Sequence, residues 1–140
     1  MLYYFPVQIT GSLGGILKMK YYSTHHEWVK LDGDDAIIGV TEYAIKKLGR
    51  DLTYVELPRE GADFIVGDVI SVVESVRESM DVQSPVSGTV IATNRNLDDD
   101  PGIIADGEKG WICKLENTDL AELDDLMEEK AYLKYIKKLG

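Results

Sequence analysis

The chain has 140 residues, of which 44% are hydrophobic and 29% charged. These values suit one soluble globular domain able to bury a core without staples, and they exclude a disordered chain. The formal charge of -10 lacks the basic footprint that nucleic acid or an anionic membrane requires, so a basic protein partner fits better. The single cysteine, Cys113, excludes an intrachain disulfide and a multi-cysteine metal site and suits a reducing, cytoplasmic setting. No apolar run is long enough to span a bilayer.

Residues 1–18 carry almost no charge and have neither the basic start of a signal peptide nor the Arg-rich pattern of a transit peptide. They are expected to be a disposable extension, or an extra strand from Tyr3 to Thr10 over a sheet edge. From Tyr21 the pattern is firmer. His25 and His26 precede Glu27-Trp28 at the start of a predicted strand, where adjacent residues point to opposite faces and cannot share a metal. Asp32-Gly33 is a turn signal and Ala36 to Val40 a short strand.

Thr41 to Gly49 reads as a short helix. Thr41 can cap the first amides, Glu42 suits the positive first turn, and Gly49 suits the residue beyond the last turn. Lys46, Lys47 and Arg50 make its end basic. Leu52 to Pro58 is a strand stopped by proline, and Glu60 to Asp63 turns the chain toward strands around Val66-Gly67-Asp68. Asp68 to Val90 then reads as strand, turn, strand, since Val69, Ile70, Val72, Val73 and Val76 form a β-branched run. The polar turn Arg77 to Met80 is expected to project, and Ser84-Pro85-Val86-Ser87-Gly88 to bend the return strand.

Leu97 to Ile104 is a turn-rich connector, and Gly110 to Leu115 reads as a closing strand that places Cys113 in an apolar run. The spacing of Leu120, Leu123, Leu126 or Met127, Ala131 and Ile136 predicts one long amphipathic helix over 118–139. Its acidic start and basic end suit a helix macrodipole. The acid at 32–35, 98–100 and 119–129 is read as solvated loops and a helix face.

Several of these stretches resemble one family. Glu74-Ser75-Val76-Arg77 followed by Ser84-Pro85-Val86-Ser87-Gly88, the opening His26-Glu27-Trp28, the Thr41-to-Gly49 helix, Val55-Glu-Leu-Pro58 and Val66-Gly-Asp68 are similar to phrases of the glycine cleavage system H protein. That family hangs lipoate on a lysine at a hairpin tip. The resemblance runs from Met19 to about Lys138, so it divides the chain into an extension over 1–18 and an H-protein-like domain over 19–140. Together with the strand spacing it implies a mainly β fold, a barrel-sandwich hybrid of the lipoyl/biotinyl type with a short internal helix and a C-terminal helix.

The resemblance places Arg77 at the lipoyl-lysine position, preceded by Glu74, Ser75 and Val76. A lysine of pKa about 10.4 can release its proton to attack activated lipoate. Arginine stays protonated, with a pKa above about 12 and a delocalised charge, and is a poor acyl acceptor. No lipoate is therefore expected on Arg77. Lipoate enters only if another lysine is used, such as Lys109 in the Asp106-to-Gly110 turn. No catalytic constellation or metal-ligand spacing is visible.

The expected function is a monomeric, non-enzymatic partner-binding or regulatory module that binds protein partners of a glycine cleavage or related lipoate-dependent system. The alternatives are a lipoyl carrier of aminomethyl groups or electrons that uses another lysine, and an anion-binding module in which Arg77 grips a carboxylate or phosphate.

Overall fold

The computed structural model describes residues 19–140, so a strand over Tyr3 to Thr10 lies outside the described residues. The chain forms β1 (Lys20–Tyr22), β2 (Glu27–Asp32), β3 (Asp35–Val40), α1 (Glu42–Leu48), β4 (Leu52–Val55) and β5 (Asp63–Phe64). It continues through β6 (Val69–Ser75), β7 (Ser79–Gln83), β8 (Gly88–Thr93), α2 (Asn96–Asp99), β9 (Cys113–Glu116), β10 (Met127–Glu128) and α3 (Glu129–Leu139). Tight 3-10 turns cover Pro101–Ala105 and Leu120–Asp125.

The strands make a seven-stranded sheet in the order β10-β1-β2-β3-β9-β8-β5 and a three-stranded sheet β4-β6-β7. Val29, Ile38 and Leu115 of the large sheet share one core with Val55, Val73 and Val82 of the small sheet and with Ile45 and Leu48 of α1. This is the expected barrel-sandwich hybrid. The bend at Ser84 to Ser87 moves the chain from one sheet to the other. Buried Ser84 satisfies its hydroxyl on the Val86 carbonyl at 2.6 Å, and its amide donates to Asp68 at 2.7 Å.

The internal helix forms as predicted, with the Ala44 amide donating to Thr41 Oγ1 at 3.3 Å. The connector does more than turn. Leu97 and Ile104 are fully buried, and the chain around them winds into α2 and the 3-10 turn to place both in the core. The strand expected up to Pro58 ends at Val55, and Val66-Gly67-Asp68 is a turn with strands on either side, the two residues of β5 before it and β6 after it, which lie in different sheets.

The long C-terminal helix does not form. Leu126 is extended (φ -104, ψ 162), and the next two residues pair with β1 as Tyr21↔Glu128 and Tyr22↔Met127. α3 begins only at Glu129. Two tertiary interactions oppose a continuous helix: the open edge of β1, and Ser87, whose amide and hydroxyl donate to Glu122 at 2.8 and 2.7 Å. Such contacts override helix propensity, which is worth only tenths of a kcal/mol per residue, about 0.5.

His25 and His26 also differ from expectation. They lie in the turn before β2, with His26 in the left-handed region at φ 73. That turn brings its ring to α3, where Tyr132 OH lies 2.9 Å from His26 Nδ1 and 2.7 Å from Thr41 Oγ1. Tyr22 stacks on Tyr132 at 4.6 Å.

Candidate functional site

The β6-β7 hairpin is in register from Val73↔Met80 to Glu74↔Ser79, so its tip is only Val76 to Glu78. The predicted turn ran to Met80, but Ser79 and Met80 are strand because they complete the ladder.

Ser75 organises the tip. Its amide donates to the Glu78 carbonyl at 2.8 Å, and its Oγ accepts the amides of Arg77 and Glu78 at 3.2 Å each. A side-chain oxygen that collects backbone donors in this way makes a tight turn without help from glycine. The Ser75 hydroxyl also lies 3.1 Å from the Leu48 carbonyl, and the Val76 amide donates to Asp51 at 3.0 Å. The tip is thus tied to the end of α1 and to the chain that follows it.

Arg77 completes the tie. Its Nη2 donates to the carbonyls of Lys47 and Leu48, each at 3.2 Å. These carbonyls lie in the last turn of α1, where acceptors lack intrahelical partners and the helix end is partially negative. The turn is exposed at Val76, Arg77 and Glu78, as expected of a projecting tip, and within it the guanidinium reaches back to α1. Val76 is 68% accessible, Glu74 faces solvent and Ser75 is buried.

Lys109 is elsewhere. Its amide donates to Asp106 Oδ1 at 2.9 Å and its carbonyl accepts from Asn94 at 2.8 Å. Its side chain is exposed on a turn that no paired strands flank.

Beside the return strand lies a cleft of about 260 Å3 whose lining includes Glu27, Gln83, Ser84, Glu122 and Asp125. Glu27 is a 2% exposed carboxylate. Its Oε1 accepts from Ser23 Oγ at 2.6 Å and its Oε2 from the Gln83 amide at 3.3 Å. Burial raises its pKa above the usual carboxylate value, against the pull of these two donors. The Glu27 and Glu122 carboxylates on this cleft are taken up by Ser23, Gln83 and Ser87. The cleft's only trace in the sequence is an acidic residue between His26 and Trp28 at a strand entry.

The sequence model of the family described as Glycine cleavage H-protein matches residues 20–139. The chain belongs to the glycine cleavage H-protein family. Among H proteins it is 43% identical to the glycine cleavage system H protein of Thermoanaerobacter sp. (strain X514), covering 86% of this chain and 96% of the relative. It is also 43% identical to glycine cleavage system H protein 4 of Aquifex aeolicus, over 86% of this chain and 71% of the relative. The crystal structure of the H protein from Mycobacterium marinum matches with a TM-score of 0.75 at 27% identity, covering 84% of this chain and 96% of that one. H proteins are lipoyl carriers and not catalysts, and the chain is not an enzyme.

Proposed function

We propose that this H-protein-family member does not carry lipoate and acts as a monomeric cytoplasmic module that binds protein partners of a glycine cleavage or related lipoate-dependent system. In this reading residues 19–140 form the functional domain, and Arg77 stands where the family attaches its prosthetic group, with Glu74, Ser75 and Val76 before it. The observation that carries the reading is Arg77 itself. A permanently protonated guanidinium held on two helix carbonyls is neither a nucleophile nor a free arm. Lys109 offers no rival hairpin.

The test is lipoylation in vitro with lipoate ligase, ATP and lipoate, comparing wild type with Arg77→Lys by intact mass. The expected outcome is that only Arg77→Lys gains a lipoyl group. A wild type that gains it overturns the reading and sends the search to Lys109 by peptide mapping.

A further inference from the structure

The chain as a whole is acidic, yet the sign reverses around the hairpin tip. α1 ends in Lys46 and Lys47, Arg50 follows it, and α3 ends in Lys137 and Lys138. The two helix ends converge, since Lys47 Nζ donates to the Gly140 carbonyl at 3.0 Å, and Arg77 lies on the carbonyl of Lys47. Arg50 pairs with the Glu42 carboxylate at 3.6 Å, Lys47 is engaged by Gly140, and Lys46, Lys137 and Lys138 make no ion pair among the described residues. Asp51 and Glu78 flank the face, and neither makes an ion pair with it among the described residues.

Arg77 differs from the other cations in being pre-positioned. Nη2 is held by two carbonyls, while Nε and Nη1 donate to no acceptor among the described residues, so N–H groups remain for an incoming oxygen. Beside it, Val76 is 68% accessible. An arginine already held by two carbonyls, beside an exposed apolar side chain and near the lysines of the two helix ends, loses little side-chain entropy when its remaining N–H groups take up a carboxylate.

We propose that the hairpin tip and the converging ends of α1 and α3 form a docking face for a protein partner that presents carboxylates, with Arg77 as its central contact. This deepens the partner-binding reading above and rests on it. The chain's net charge of -10 favours basic partners at long range. Beyond a Debye length of about 8 Å that field is screened, and at contact the local cations decide. The same net charge disfavours a nucleic acid, whose dense phosphates would meet the acidic remainder of the surface.

The test is an amide NMR titration of the full chain, prepared without lipoate, with an acetylated and amidated hexaglutamate peptide as the probe. The expected shifts fall at Val76 to Glu78, Lys46 to Arg50, and Lys137 to Leu139. Arg77→Gln should weaken binding about tenfold, as expected on losing a charge-assisted hydrogen bond. The double variant Lys137→Glu, Lys138→Glu should weaken it without touching the tip. Shifts elsewhere, affinity unchanged in both variants, equal binding of oligo-dT, or concentration-dependent shifts without peptide would overturn the proposal. The titration reads the surface of unmodified protein. A wild type that accepts lipoate in the mass assay would fail the functional reading separately.

Discussion

Arg77 and Gly49 fit together at the end of α1. A Cβ on residue 49 would lie 3.1 Å from Arg77 Nε and 3.3 Å from its Nη2, and the residue is at φ +115, a conformation side chains rarely adopt. Gly49 therefore both turns the chain out of the helix and leaves room for the guanidinium. Gly49→Ala should cost about 2 kcal/mol in urea unfolding, part from backbone strain and part from displacing Arg77. In an Arg77→Ala background the steric part disappears and the cost should fall to about 1 kcal/mol. Equal costs in the two backgrounds would mean that the two residues do not interact.

Gly39 is the second glycine that a neighbour requires. It pairs with Trp28 across β2 and β3, and a Cβ there would overlap the indole ring. Trp28 is 2% exposed and its Nε1 donates to the Val40 carbonyl at 3.2 Å, so the ring has nowhere to move. Gly39→Ala should destabilise by about 3 kcal/mol or more, read from the urea midpoint at unchanged slope.

The seat of α3 should depend on pH through His26. Burial, with a smaller contribution from His25, holds the His26 pKa below its ordinary 6.5. The Ala44 amide donates to Thr41 Oγ1, the Thr41 hydroxyl can donate to Tyr132, and Tyr132 can donate to neutral Nδ1. With the folded pKa lowered, this contribution is complete above the unfolded value and is lost as pH falls through the folded one. Amide protection factors in α3, corrected for the intrinsic exchange rate, should fall as pH drops through the lowered His26 pKa, below the ordinary 6.5, and His26→Gln should remove that dependence. Tyr132→Phe, which leaves Thr41 and His26 without their partner, should cost about 1–2 kcal/mol at neutral pH.

Glu27 acts with the opposite sign. Its folded pKa is raised above 4.5 by burial, so its contribution is complete below that value and is lost as pH rises through the folded pKa. Glu27→Gln should flatten the stability profile above about pH 4.5 relative to wild type. An unchanged profile would show that the carboxylate keeps an ordinary pKa.

Cys113 is fully buried in β9 and its thiol pKa is pushed up to about 12 by burial. A disulfide reagent should label it at neutral pH only as fast as the protein unfolds, and urea should accelerate labelling in step with loss of the fold. Rapid labelling of the native protein would contradict the burial of β9.

The sequence by itself determined what local chemistry decides. Thr41 and Gly49 bound a helix wherever it packs, because a cap and a left-handed stop act within one turn. The β-branched run through Val73 forms a strand, the Ser84-to-Gly88 phrase bends the chain, and a buried thiol follows from the apolar run around Cys113. The residue at the hairpin tip is likewise plain in the sequence.

Only the tertiary structure decided where that residue's charge goes, because the carbonyls of Lys47 and Leu48 lie about thirty residues away in the chain. It also broke the predicted C-terminal helix at Leu126. The apolar spacing there fits a helix as well as it fits a tight turn followed by a strand, and only the free edge of β1 and the Ser87 donors distinguish the two. Glu27 and His26 belong to the same class. Their partners Gln83 and Tyr132 are distant in sequence, and burial, which shifts a carboxylate or an imidazole, is a property of the packed molecule and not of the residues beside it.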